Sequence, residues 1–144
     1  MNVKQISVFV DNKPGSLHSI AKICAQKRVR IKALTVTETS DFSVVRLIVD
    51  NVLWASSVLK DGGFITKLQE VIAAEVPNTP DGLNQVLAAL MDADVNIEYT
   101  YTILTGTYVM STCLILKLSD NEKAALALNG AGIKILAQEE LSAL

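Results

Sequence analysis

The chain has 144 residues, half of them hydrophobic, and 13 basic against 15 acidic side chains give it a formal charge of −2. Length alone admits one ordinary domain or two small ones, and with only 19% charged residues, three prolines and seven glycines the composition excludes a disordered chain. The charge balance excludes a nucleic-acid surface, which needs a concentrated basic stripe; the nearest approach, Lys27, Arg28, Arg30 and Lys32, reads as a helix end running into a solvated strand face.

Val3 to Val10 is rich in β-branched residues and ends at Asp11-Asn12, so it predicts a strand and a turn. Pro14 then opens a helix to about Lys27, at a first-turn position where its missing N–H costs nothing. Val29 to about Glu38 is a second strand, Thr39-Ser40-Asp41 a turn, and Phe42 to Val49 a third strand. Asn51 to Asp61 is a helix ended by Gly62-Gly63, and Phe64 to Leu68 a short last strand. The same order follows in Glu70–Val76, Pro80–Ala93, Val95–Leu104, Tyr108–Leu118, Asn121–Leu128 and Ile133–Gln138, with Thr79 as N-cap of the helix at Pro80. Carboxylates such as Glu139-Glu140 fall in a C-terminus that reads as mobile.

These two series are one repeat. Asn12-Lys13-Pro14-Gly15-Ser16-Leu17 matches Asn78-Thr79-Pro80-Asp81-Gly82-Leu83 at an offset of 66, which also carries Ile20 to Val86, Ala21 to Leu87 and Cys24 to Leu90, an apolar helix stripe in both copies. Val29 falls on Val95, Ile31 on Ile97 and Phe42 on Tyr108, while Gly62-Gly63 meets Gly130 and Gly132 at an offset slightly larger. The expectation is an α+β chain of two tandem ferredoxin-like βαββαβ domains, residues 1–68 and 69–144, packed side by side with antiparallel sheets and helices on one face. The third strands carry apolar residues on both faces: Phe42, Val44 and Ile48 against Val45, Leu47 and Val49, then Tyr108, Met110 and Leu114 against Val109, Cys113 and Ile115. One helical layer covers one face only, so the sequence predicts a homodimer that buries the other.

A βαββαβ unit with Asn/Asp-x-Pro-Gly-x-Leu between its first strand and first helix resembles the ACT domain family. Residues 12 to 17 match that signature at every marked position; the second copy keeps Asn78, Pro80 and Leu83 but has Asp81 where Gly is expected, and Gly82 one place later. The resemblance spans nearly the whole chain. It implies a regulatory module that binds an amino acid or similar small carboxylate where the first loop of one domain meets the second strand of its neighbour, acting on an enzyme partner. Carried onto this sequence, the ligand residues are Asn12, Pro14, Gly15, Ser16 and Leu17, with Asn96 and Ile97 facing them. The alternative site joins Asn78, Asp81, Gly82 and Leu83 to Arg30 and Ile31, and there Asp81 would repel a ligand carboxylate. Residue chemistry supports the first loop: a helix start favours an anion, Gly15 allows close backbone approach, and Asn12 both donates and accepts. Pro-Gly turns and capping asparagines form equally well with no ligand.

Other chemistry is thin. His18 is the single histidine and has no positioned nucleophile beside it. Tyr99, Tyr101 and Tyr108 read as sheet packing, the first two on one face with Val95 and Ile97. Neither catalytic residues nor a metal or other cofactor is expected, and an acylphosphatase-like hydrolase fails because Arg30 sits at a strand start. The N-terminus, MNVKQISVFVDNKPG, lacks a secretory signal pattern, and no stretch reaches the roughly 18 apolar residues of a membrane span. Cys24 and Cys113 lack metal-like spacing and read as small buried hydrophobes in a reducing, cytoplasmic setting. Beside the sensor stands a second reading on the same fold, a structural or interaction protein with vestigial ligand loops.

Overall fold

A computed structural model describes residues 2–104 and 111–144. It comprises β1 (Val3–Asp11), α1 (Ser16–Gln26), β2 (Ile31–Glu38), β3 (Phe42–Val49), α2 (Val52–Asp61), β4 (Ile65–Pro77), α3 (Gly82–Asp92), β5 (Ile97–Thr102), β6 (Ser111–Leu118), α4 (Asn121–Gly130) and α5 (Gln138–Ser142). Contacts divide the chain into two units, Lys4–Gln69 and Met1–Val3 with Glu70–Leu144. The fold class is α+β, of tandem ferredoxin-like type.

In the unit Lys4–Gln69, β3 lies between β2 and β1 with antiparallel registers such as Leu34↔Leu47 and Val8↔Val45. Val45, Leu47 and Val49 of β3 face Ile20 and Cys24 of α1 and Ala55, Val58 and Leu59 of α2 in one apolar cluster. In the other unit β6 lies between β5 and β4, and Leu114, Leu116 and Leu118 meet Val86, Leu90, Ala124 and Leu128. The helix stripe is narrower than the sequence repeat suggests. Ile20 with Cys24 and Val86 with Leu90 are buried, but Ala21 and Leu87 face solvent; Ile23 and Ala89 fill the third position instead.

The repeat recurs in hydrogen bonds at the strand starts and helix ends. The Arg30 N–H donates to the Asp50 carboxylate and the Asp50 N–H to the Arg30 carbonyl; Asn96 and Ser119 repeat that exchange. Asn51 caps α2 by accepting from the Trp54 N–H, and Asp120 caps α4 by accepting from Lys123, each at 3.0 Å. Helices α1 to α4 each close on a left-handed residue followed by a long back-bond: Arg28, Gly63, Asp94 and Gly132 have positive φ, and Val29, Phe64, Val95 and Ile133 donate to Cys24, Leu59, Leu90 and Leu128.

Several sequence expectations change. The strands Phe64–Leu68 and Glu70–Val76 are one strand, β4, because Lys67-Leu68-Gln69-Glu70 contains neither Gly nor Pro to break it. The strand Ile133–Gln138 shrinks to a bridge between Ala74 and Ile135, after which the chain turns into α5. The C-terminus is therefore anchored: Leu141 is fully buried, Glu140 accepts from the Ala137 N–H, and Lys134 pairs with Glu140 at 2.9 Å. Lys32 is buried, so it does not lie on a solvated face.

Bulges between Ile31 and Ala33 and between Ile97 and Tyr99 swap faces along β2 and β5. Ile97 sits opposite Leu118 on the helix side, whereas Tyr101 sits opposite Ile115 on the other, so Tyr99 and Tyr101 do not share the face of Ile97; their rings stack at 6.4 Å. β3 pairs with β1 and β6 with β4 so that Phe42, opposite Asp11, corresponds to Ser111, opposite Pro77, which displaces the match of Phe42 with Tyr108. Tyr108, Val109 and Met110, and the start of the strand expected there, lie outside the described residues. On the face away from the helices, Val44 and Ile48 of one unit and Ala73 and Ile115 of the other are buried.

Candidate ligand site

The loop between β1 and α1 is a tight turn. The Ser16 N–H donates to the Lys13 carbonyl at 3.3 Å, and Gly15, at φ 88 and ψ −8, occupies the third position of a type II turn after Pro14. Only a residue tolerant of the left-handed region fits there, which is why glycine follows proline. Pro14 therefore precedes the helix, which begins at Ser16. The Ser16 hydroxyl donates to the Asp11 carbonyl at 2.7 Å and that of Ser19 to the Gly15 carbonyl at 3.0 Å. Asn12 accepts from the buried Ser43 hydroxyl at 3.4 Å, which ties the loop to β3.

Two hollows flank this loop. The larger, about 580 Å³, runs from Lys13, Pro14, Gly15 and Ser16 past Ser19 to the turn between α2 and β4, with Gly63, Phe64 and Ile65 on its far side and Phe9 and Phe42 as a wall. A smaller one, about 150 Å³, gathers Asn12, Ser16 and Leu17 with Val36 and Ser43. The first loop's five expected residues thus all border a cavity of their own unit. The Ser16 N–H, expected to meet a carboxylate, is already engaged by Lys13. Lys13 and Asp11 make an exposed pair at 3.8 Å, too open to add much stability.

The matching loop in the other unit differs in one peptide. The Gly82 N–H donates to Thr79, and Asp81, at φ −92 and ψ −7, makes this a type I turn. Asp81, not Thr79, is the N-cap residue of α3, and its exposed carboxylate accepts from the side chains of Asn84 at 3.0 Å and Gln85 at 3.1 Å. Those two donors hold Asp81 below its usual carboxylate range. Gly82 is buried, and a Cβ there would stand 2.0 Å from the Pro77 carbonyl oxygen. Asn78 and Leu83 are exposed.

Asn96 and Ile97 line a third hollow of about 390 Å³ with Leu87, Leu90, Met91, Asp94 and Val95. Arg30 and Ile31 stand at the start of β2, where the Arg30 backbone is tied to Asp50. His18 is exposed on α1. Burial raises the Cys24 thiol, and burial with the Glu75 charge pushes Cys113 up to about 12, so neither is a ready nucleophile. Among the described residues no three His, Cys, Asp or Glu side chains gather as a metal site, and no helix is long and apolar enough to cross a membrane. Sequence reasoning missed Phe9, Phe42 and Phe64. They are the chain's only phenylalanines, and all three flank turns that the strand pattern had located.

Comparison with known proteins agrees with this architecture. The chain matches the model of the ACT domain pair over residues 1–144. The crystal structure of protein BT0572 from Bacteroides thetaiotaomicron is 30% identical, with TM-score 0.91, covering 100% of this chain and 98% of that one. The regulatory subunit of aspartate kinase from Thermus thermophilus, in its ligand-free form, is 15% identical with TM-score 0.62, covering 89% of this chain and 91% of that one. The aspartate kinase of Clostridium acetobutylicum shares the fold at 18% identity and TM-score 0.53 over 90% of this chain and 33% of its own. No curated protein matches the sequence. With its whole length matched, the chain belongs to the ACT domain pair family.

Proposed function

We propose that the protein is a non-catalytic regulatory module that binds an amino acid at the loop of residues 12–17 and reports its level to an enzyme partner in the cytoplasm. The observation that carries this reading is the cavity of about 580 Å³ beside that loop, in a chain that belongs to the ACT domain pair family. Its size suits a small ligand, and the resemblance to the ACT domain family implies an amino acid. Asn12, Pro14, Gly15, Ser16 and Leu17 are the proposed contacts. Asn96 and Ile97, and the second set of Asn78, Asp81, Gly82, Leu83, Arg30 and Ile31, stand behind them. The shared fold with a kinase regulatory subunit is compatible with such a role.

A thermal-shift screen against the twenty amino acids tests the proposal. A ligand at a hundred times its Kd adds about 2.7 kcal/mol to the folded state, a rise of several degrees for a chain of this size. One or a few amino acids are expected to give that rise. If none does at millimolar concentration, the loops are vestigial and the chain is a structural or interaction protein.

A further inference from the structure

We infer that the amino acid bound beside the first loop has an aromatic side chain; this rests on the reading of that cavity as the ligand site. All three phenylalanines of the chain converge on it from separate elements: Phe9 from β1, Phe42 from β3 and Phe64 from the turn before β4. Phe9 and Phe42 meet at a centroid distance of 6.2 Å with their planes tilted by 56°, the offset geometry that leaves ring edges and faces open to a third ring. Phe42 is 40% exposed and Phe9 and Phe64 are half-buried, so aromatic surface remains uncovered at the hollow. A soluble chain gains little by keeping it there unless something covers it.

The polar end matches the rest of the ligand. Lys13 and Asp11 place one ammonium and one carboxylate at the rim, 3.8 Å apart and mostly exposed. An α-amino acid brings the opposite charges in the same pairing, so it can exchange partners with both at little cost, since the existing pair is screened by water. An aliphatic or charged side chain would leave the ring surface unmatched.

The clustering is specific to this unit. The repeat places Glu75, Ser111 and Ile133 where Phe9, Phe42 and Phe64 stand. Shared fold therefore does not explain the three rings. One site per chain follows.

Calorimetric titration of the full chain with L-phenylalanine, L-tyrosine and L-tryptophan, against L-leucine, L-lysine and L-aspartate, decides the matter. At least one aromatic amino acid is expected to bind tenfold or more tightly than the other three. Phe42→Leu keeps apolar bulk but removes the ring, and is expected to weaken that binding about tenfold, while Leu126→Ala on α4 of the other unit, an exposed position, leaves it unchanged. Unchanged affinity in Phe42→Leu overturns the site. Tighter binding of leucine, lysine or aspartate overturns the ligand class and leaves the regulatory reading standing, whereas no binding by any amino acid removes both.

Discussion

The two loops that open α1 and α3 share a hydrogen-bond scaffold and differ by a peptide flip. In both, the residue before proline donates back two positions, Lys13 to Asp11 and Thr79 to Pro77, and the residue after proline accepts the first helical bond, Gly15 from Ser19 and Asp81 from Gln85. Yet Pro14-Gly15 forms a type II turn and Pro80-Asp81 a type I turn. Each glycine then has a different task. Gly15 is there for its φ of 88, with nothing within 4 Å of a Cβ; Gly82 is there for its size, against the Pro77 carbonyl. At the equivalent of Gly82, Ser16 fits and bonds the Asp11 carbonyl instead. A one-place shift of glycine in sequence is thus a change of turn type, which reverses the face to which the central N–H points.

The largest expected effect separates the two glycines. Gly82→Ala should lower stability by about 3 kcal/mol or more, because the 2.0 Å approach is to backbone that cannot step aside. Gly15→Ala meets open space and only the left-handed strain of about 1–2 kcal/mol, part of it offset by the stiffer unfolded chain. Urea denaturation of both variants measures the difference, and equal losses would refute the assignment.

Much of this was legible beforehand. The offset of 66 located both loops, and Gly62-Gly63 and Gly130 with Gly132 marked the ends of α2 and α4, because turn and cap chemistry leaves residue signatures. What escaped depended on partners distant in sequence. Bulges at Lys32 and Glu98 leave no residue signature, yet the one at Glu98 decides which face Tyr101 occupies. The polar run Gln138-Glu139-Glu140 looked mobile until Lys134 and the buried Leu141 anchored it. The three phenylalanines converge only once β1, β3 and the turn before β4 are folded together.

The helix ends offer a smaller contrast. Arg28 and Asp94 hold the left-handed position that Gly63 and Gly132 hold after α2 and α4. Arg28→Gly should relieve about 1–2 kcal/mol of strain against a loss of up to about 1 kcal/mol to unfolded-chain freedom, and so stabilise by up to about 1 kcal/mol. Asp94→Gly should come out near zero, since Asp tolerates this region better. Thermal melts of both variants check this; destabilisation by Arg28→Gly would mean that its side chain makes contacts worth more than the strain.

The smallest effect is a titration that one loop has and the other lacks. Asp81 accepts side-chain hydrogen bonds from Asn84 and Gln85 in its ionised form, so its folded pKa lies below the unfolded value. A depressed carboxylate pKa means the contribution is fully present above the unfolded pKa, about 3.9 for Asp, and is lost as pH falls through the folded pKa. The side chain is exposed, so the global stability change should be slight. The local one should be visible: amide exchange in the first turn of α3 should quicken below that range, while the first turn of α1, with Gly15 in the equivalent position, should show no matching step. Carbon-13 titration of Asp81 should give a midpoint below the ordinary carboxylate range, and Gln85→Ala together with Asn84→Ala should move it back up. A midpoint at or above the ordinary value in the unaltered chain would show that Asp81 merely points into water, leaving the turn type as the sole difference between the loops.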